Sequence, residues 1–247
     1  MKTVIFSHGD KGGVGKSVVA AAMVDSIITR MGCCTVLDGD NKTPDLRNRF
    51  RHAPSVTTIH MQLNMAGAAS DAVSLMAGIV EEAVTDFIVV NLPSSAGDTL
   101  DGMGRMLRAV FDDIDVRMAV TYSLGEHDEA ADGLTDSLCG RFLSVFDPDD
   151  RMVLFPAFLG PKNSFKWVGR KAYLEYMGLQ AVFPAIEPKR IFNDIIQIPG
   201  LFSDMVEHKP KEFTAYHRIA LKEWLEETRQ VLDALLFPSR NGINGEA

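Results

Sequence analysis

The stretch from Ser7 to Val24, SHGDKGGVGKSVVAAAMV, is a glycine-rich segment that runs into an apolar segment with helical spacing. The stretch before it, Lys2 to Ser7, is apolar enough to predict a strand. Gly12, Gly13 and Gly15 let the backbone curl so that successive N–H groups face inward, and the dipole of the following helix adds to this attraction for anions. The order of strand, glycine loop and helix predicts a phosphate-binding loop, against the alternative of a glycine-rich turn with a chance Gly-Lys-Ser.

The last residues of this loop have the side chains that nucleotide chemistry needs. Lys16 would reach the β- and γ-phosphates, and the Ser17 hydroxyl would hold Mg²⁺. The strict pattern G-x-x-x-x-G-K-[ST] is not met, because Asp10 stands at its first glycine and a second lysine, Lys11, follows. The residues expected to bind the nucleotide are Lys11, Gly12, Gly13, Val14, Gly15, Lys16, Ser17 and Val18.

The segment DKGGVGKS, from Asp10 to Ser17, resembles the deviant Walker A motif x-K-G-G-x-G-K-[ST] of the ParA/MinD family of P-loop ATPases. The resemblance implies ATP and Mg²⁺ as cofactors and a homodimer that encloses two nucleotides. It also implies that Lys11 reaches the nucleotide of the other subunit and adds positive charge where phosphoryl transfer develops negative charge. The catalytic residues that it implies are Lys11, Lys16 and Asp40.

Apolar stretches of strand length alternate with longer periodic stretches along the rest of the chain. The predicted strands after the first are Cys33–Leu37, Val56–Met61, Phe87–Val90, Val116–Tyr122, Met152–Phe158 and Gln180–Phe183. The predicted helices are Lys16–Met31, Ser70–Val84, Asp98–Phe111, Glu126–Phe142, Ser164–Met177 and Lys211–Leu236. This alternation predicts an α/β fold, a doubly wound and mostly parallel sheet with helices on both faces. We expect a single domain over residues 1–238 and a disordered tail over 239–247.

Two aspartates end the second predicted strand, in the segment TVLDGDNKTPDL. This segment is similar to the switch I region, I-D-x-D-P, of the same family. By that resemblance Asp40 helps to position the attacking water, and Asp38 supports Mg²⁺ or a water bound to it. The alternative is an Asx-type turn, in which the carboxylates accept local backbone hydrogen bonds.

The segment DFIVVNLPSSAGD departs from the family pattern that it resembles, D-x-x-x-x-D-x-P. Asn91 stands where the family has an aspartate that holds a magnesium-bound water. An amide oxygen still accepts a hydrogen bond, but the side chain carries no negative charge. We therefore expect weaker organisation of Mg²⁺ and slow hydrolysis.

Two later segments are candidates for contact with adenine. Asn163 follows a predicted strand, as an adenine-contacting residue often does in the family, although it equally fits the N-cap region of a helix. The resemblance extends to residues Pro184 to Glu187, a proline-containing loop that would line the adenine pocket.

A basic segment, PKNSFKWVGRK, is a candidate surface for nonspecific DNA. Its cations are Lys162, Lys166, Arg170 and Lys171, and the spacing of Lys166 and Arg170 predicts one shared helix face. The alternative is an ordinary solvated helix face, with Trp167 in the core rather than stacked on a base.

The composition limits the possible partners of this chain of 247 residues. Its net charge of -8 argues against wholesale electrostatic binding to nucleic acid or anionic lipid. The N-terminal apolar run is too short for a signal peptide, and the C-terminal LLFPSRNGINGEA is a poor amphipathic anchor, so we expect a cytoplasmic protein without a membrane partner.

The sequence leaves more than one function open. The resemblance favours a ParA-like ATPase that positions or segregates plasmid or chromosomal DNA or a cargo complex, with a cognate adaptor or partition protein. The alternatives are an accessory ATPase of conjugative transfer or plasmid stability that acts on a protein partner, and an ATP-dependent small-molecule ligase. Iron–sulfur reductases of this fold need bridging cysteines at fixed loop positions, which Cys33, Cys34 and Cys139 do not match.

Overall fold

A computed structural model of the protein describes residues 1–9, 12–39, 45–61, 69–93 and 97–238. Its strands are β1 (Lys2–His8), β2 (Cys34–Asp38), β3 (Val56–His60), β4 (Phe87–Asn91), β5 (Val116–Ser123), β6 (Arg151–Pro156) and β7 (Leu179–Phe183). They form one seven-stranded sheet in the order β3-β2-β4-β1-β5-β6-β7, and every pairing is parallel. The predicted parallel α/β sheet is confirmed.

Helices cover both faces of this sheet. In the described part of the chain they are α1 (Lys16–Met31), α2 (Asp45–Phe50), α3 (Ala69–Glu82), α4 (Gly97–Asp113), α5 (Asp128–Leu138), α6 (Lys171–Leu174), α7 (Lys189–Ile196), α8 (Phe202–His208) and α9 (Ala215–Leu236). Helices α3, α4 and α5 pack on one face, and α1, α2, α7, α8 and α9 pack on the other. The chain runs outward in one direction from β1 to β3 and in the other from β4 to β7, which is the doubly wound topology.

The central strands are buried on both sides, which explains their continuous apolar sequence. Val4 and Phe6 of β1 belong to the apolar core on the α3–α5 face, and Ile5 between them belongs to the core on the α1–α9 face. All five residues of β4 are buried. Such strands read as apolar runs rather than as alternating patterns.

The ends of the longest helices follow from local chemistry. Helix α1 ends where Gly32 adopts a left-handed conformation (φ 81°) and donates its N–H to the carbonyl of Ile28. Helix α9 begins later than predicted, because Thr214 and His217 form a capping box at its N-terminus. No helix of the described residues is both long and apolar enough to span a membrane.

The predicted helix from Ser164 to Met177 is wrong. This segment forms 3₁₀ turns at Lys162–Ser164 and Lys166–Gly169 and only the short helix α6. The reason lies in Trp167, which is fully buried and makes edge-to-face contacts with Tyr173 and Tyr176 at ring-centroid distances of 5.3 and 5.4 Å. The chain wraps around this indole, and a straight helix would carry the tyrosines away from it.

Candidate functional site

The carboxyl ends of three neighbouring strands bring the candidate residues together. Asn91 of β4 lies in register with Ser7 of β1 on one side and with Asp38 of β2 on the other. The backbone pairing continues one residue further, since Gly39 donates to the carbonyl of Asn91 (3.0 Å). The loops that follow these strands therefore leave the same edge of the sheet, where doubly wound folds bind their ligands.

The glycine loop has the backbone conformation that the sequence predicts. Gly13 (φ 82°) and Gly15 (φ 90°) are both left-handed, a conformation that other residues adopt only with strain. No described atom lies within 4 Å of the position that a Cβ would take at Gly12 or Gly13. The outer side of the loop is therefore open space in front of the N-terminus of α1.

The N-terminus of α1 carries the polar groups that face this space. No side chain caps the helix, and its first turn contains no acidic residue. The carbonyl of Lys16 accepts a hydrogen bond from the Ser7 hydroxyl (2.9 Å), and the Lys16 side chain is mostly buried. Ser17 and Val18 line a cavity of about 390 Å³ together with residues of α2. The positive end of the helix dipole is thus directed at an open loop of backbone N–H groups.

Asp38 and Asn91 form a hydrogen-bonded pair beside this loop. The Asn91 amide donates to Asp38 Oδ1 (3.0 Å), and the backbone N–H of Arg47 donates to Asp38 Oδ2 (3.1 Å). Both side chains are essentially inaccessible to solvent. Asn91 Oδ1 is buried and has no hydrogen-bond partner among the described residues, which leaves one strong acceptor available.

His8 is a residue of this region that the sequence analysis missed. Its ring is buried at the end of β1, edge-on to Tyr122 and Phe142 at centroid distances of 5.1 and 5.6 Å. Burial, and secondarily the charge of Lys16, lowers the pKa of His8 to about 3. The imidazole is therefore neutral at pH 7, and His8 adds no charge beside the glycine loop. The sequence did contain a sign of this burial, because residues 4, 6 and 8 of a strand share one face and Val4 and Phe6 are apolar.

Two of the predicted catalytic residues, Lys11 and Asp40, lie outside the described residues, and their roles stay predictions. The described part of the site brings together the glycine loop, Lys16, Ser17 and the Asp38–Asn91 pair.

The predicted adenine contacts lie in two segments outside the glycine loop. Asn163 is exposed in the 3₁₀ turn that begins at Lys162. Pro184 and Glu187 line a cavity of about 770 Å³ between β7 and α9, and no described residue of the glycine loop lines it. Their contact with a base stays a prediction.

The basic segment does not have the predicted geometry. Lys166 and Arg170 do not share a helix face, because Lys166 begins a four-residue 3₁₀ turn and Arg170, directly after that turn, has an extended backbone. Arg170 binds Asp128 (2.8 Å) and Asp132 (3.0 Å), and Lys171 binds Glu175 (3.0 Å). Lys162 donates to Gln180 (3.2 Å). Three of the four cations thus have partners within the chain, which reduces the positive charge and the N–H donors available to bind DNA phosphates.

The fold and this loop define a P-loop nucleoside-triphosphatase architecture. More particularly, its structural neighbours are P-loop NTPases of the ParA/MinD type. A ParA family ATPase from Chlorobium tepidum TLS superposes with a TM-score of 0.51 at 13% identity, over 91% of this chain and 98% of that one. The McdA–ATP complex of Cyanothece superposes with a TM-score of 0.50 at 14% identity, over 94% and 96% of the two chains.

The chain is also similar in sequence to one curated protein. Protein MobD of Acidithiobacillus ferrooxidans is 19% identical over 239 residues, which are 95% of this chain and 98% of MobD. No protein-family model matches the chain. At these identities the solved structures establish the fold, and the function has to be argued from the site.

Proposed function

We propose that this protein is a ParA-like ATPase that binds ATP with Mg²⁺, dimerises around the nucleotide and hydrolyses it slowly. The observation that carries the proposal is the uncapped N-terminus of α1 behind an open glycine loop, next to the buried Asp38–Asn91 pair. An anion nest and a polar pair at the ends of adjacent strands are the parts that phosphoryl transfer requires. The McdA structure, an ATP complex of the same fold, supports ATP as the nucleotide.

The residues present fit a magnesium-bound nucleotide. The backbone of residues 12–18 would hold the phosphates, Lys16 would neutralise them, and the Ser17 hydroxyl would bind the metal. The unused Asn91 Oδ1 is an acceptor suited to a metal-bound water, with Asp38 supplying the negative charge behind it. When bound, Mg²⁺ would neutralise charge on the transferring phosphoryl group.

The proposed catalytic roles divide between the two subunits. Lys16 would stabilise the phosphoryl group within its own subunit, Asp40 would orient the attacking water, and Lys11 would act in the site of the partner. The neutral Asn91 replaces a carboxylate, which is the reason to expect slow turnover that a partner protein stimulates. We propose the cytoplasm as the compartment of this activity, since ATP is available there.

The first test is nucleotide binding by calorimetry. Wild-type protein is expected to bind Mg-ATP, and Lys16→Ala to bind it roughly tenfold to hundredfold more weakly because a charge-assisted contact is lost. Lys171→Ala, which removes an exposed lysine paired with Glu175, is the matched control and should bind like the parent. Equal ATP affinity in the parent and Lys16→Ala would contradict the proposal.

A second candidate is an accessory ATPase of conjugative transfer or plasmid stability that acts on a protein partner. One observation favours it over a DNA-positioning role: Lys162, Arg170 and Lys171 of the basic segment already have polar or acidic partners within the chain. A gel shift with nonspecific DNA in the presence of Mg-ATP separates the two. A shift that falls steeply with salt favours DNA positioning, and its absence, together with ATP-dependent capture of a relaxase or adaptor, favours the accessory role.

A further inference from the structure

Phe158 is an exposed aromatic ring in a well-anchored turn. It follows β6, where the N–H of Ala157 donates to the carbonyl of Phe183 (2.9 Å) and that of Leu159 to the carbonyl of Pro156 (3.0 Å). Phe158 is 43% exposed, whereas Phe155, three residues earlier, is fully buried. The turn therefore holds the Phe158 ring at the surface, although the nearby Phe155 ring is packed in the core.

The ring lies against the glycine loop itself. A Cβ built on Gly15 would be 3.2 Å from Phe158 Cε1 and 3.6 Å from Cζ. The ring thus occupies the space beside Gly15, the residue just before Lys16. This proximity adds a second reason for glycine at position 15, besides its left-handed backbone.

The sheet order places Phe158 and the Asp38–Asn91 pair on opposite sides of the loop. Strand β1 is central, with β4 and β2 on one side and β5 and β6 on the other. Asp38 and Asn91 end β2 and β4, and Phe158 follows β6. A nucleotide whose terminal phosphate faces the Asp38–Asn91 pair has its remaining part directed to the β5–β6 side.

We propose that the Phe158 ring is the surface on which the base of the bound nucleotide stacks. This inference rests on the proposed function and adds to it the residue that contacts the base. Stacking on a ring depends on the π-face that every base has and not on the polar edge that distinguishes bases. Phe158 would therefore strengthen binding of purine nucleotides in general, and discrimination between ATP and GTP would depend on other groups.

Calorimetry with three ligands tests the assignment: Mg-ATP, Mg-GTP and magnesium tripolyphosphate, which has no base. Phe158→Ala is expected to weaken binding of both nucleotides by about tenfold to hundredfold, the range for loss of one base–aromatic stack. Binding of tripolyphosphate should not change. Leu174→Ala, which removes an 81% exposed apolar side chain on α6, is the control and should bind all three ligands like the parent.

Phe158→Trp provides a second readout that does not depend on the alanine variant. It should restore nucleotide affinity, and the emission of the new indole should fall when ATP is added but not when tripolyphosphate is added. ATP affinity of Phe158→Ala within twofold of the parent, or an equal loss for tripolyphosphate, would overturn the stacking role. If the parent binds neither ATP nor tripolyphosphate, the proposed function itself fails, so the two failures are distinguishable.

Discussion

At the scale of single residues, Asn91 has a role beside the one proposed for it at the metal, because it is hydrogen-bonded to Asp38. Its amide donates to the fully buried carboxylate of Asp38 at 3.0 Å. An aspartate at position 91 would put two carboxylates in contact away from water, where like charges disfavour each other's ionised form. The neutral amide therefore avoids placing a second carboxylate against Asp38.

The variant Asn91→Asp tests this view. Without Mg²⁺ it should lose about 2 kcal/mol of stability through carboxylate repulsion, and Mg-ATP should restore most of the loss. Its ATP turnover should exceed that of the parent, because the metal-bound water gains a charged acceptor. Thermal unfolding with and without Mg-ATP and a phosphate-release assay measure both effects.

Asn193→Asp is the matched control, since Asn193 is exposed on α7 and its change adds the same charge. It should leave both stability and turnover near the parent values. An Asn91→Asp protein that unfolds like the parent without Mg²⁺ would remove the repulsion argument, and unchanged turnover would remove the explanation for slow hydrolysis.

His8 predicts a dependence of stability on pH. Its folded pKa of about 3 is below the unfolded value of 6.5, so the unfolded chain binds more protons between these values. Its contribution to stability is complete above pH 6.5 and falls by ~1.4 kcal/mol per pH unit below it. The parent should lose about 2 kcal/mol from this group between pH 7 and pH 5.

Urea unfolding at both pH values measures this loss. His8→Phe retains an aromatic ring against Tyr122 and Phe142 and removes the titrating group, so its stability should fall less. His52→Phe, at an exposed position, should keep the acid sensitivity of the parent. If His8→Phe and the parent lose the same stability, His8 does not titrate as its burial implies.

At the scale of elements, one buried carboxylate joins three helices. Asp25 of α1 accepts hydrogen bonds from Arg229 of α9 (2.9 Å) and from the backbone N–H and hydroxyl of Ser203 of α8 (2.8 and 3.0 Å). It is fully buried, so its charge depends on these donors. The helix that begins at the glycine loop is therefore fixed to the C-terminal part of the chain.

Asp25→Ala should lower the free energy of unfolding by about 3–5 kcal/mol, because it leaves Arg229 and the Ser203 N–H without their acceptor. Ser203→Ala removes only the hydroxyl donor and should cost about 1 kcal/mol. Chemical denaturation measures both. Similar losses in the two variants would indicate that the carboxylate does not organise this junction.

The elements also show what the sequence could predict. Each predicted strand matches an observed one within a few residues, because buried parallel strands are short apolar runs between turn residues. Helices α2, α7 and α8 have at most eight residues, too few for a clear 3.6-residue period, and were not predicted. The proximity of Phe158 to Gly15 and the contact of Asn91 with Asp38 join positions far apart in sequence, and local patterns do not report such pairs.

At the scale of the whole molecule, the resemblance implies that Lys11 acts in the nucleotide site of a second subunit. In that case the site formed by the glycine loop and the Asp38–Asn91 pair is complete only in a dimer. A mixture of two defective variants tests this. In Lys11→Ala, the nucleotide site lacks the lysine that its partner should supply, and in Lys16→Ala, the site lacks its own phosphate-binding lysine. Each variant alone should show little ATP turnover.

Mixed in equal amounts, the two variants should regain activity. In a mixed dimer, the nucleotide bound by the Lys11→Ala subunit receives Lys11 from the Lys16→Ala subunit, so one of its two sites has every lysine. Since random pairing makes about half of the dimers mixed, the mixture should approach about a quarter of the parent rate. A rate no greater than the average of the two variants would mean that Lys11 acts within its own subunit, and the chain would then work as a P-loop protein without a shared site.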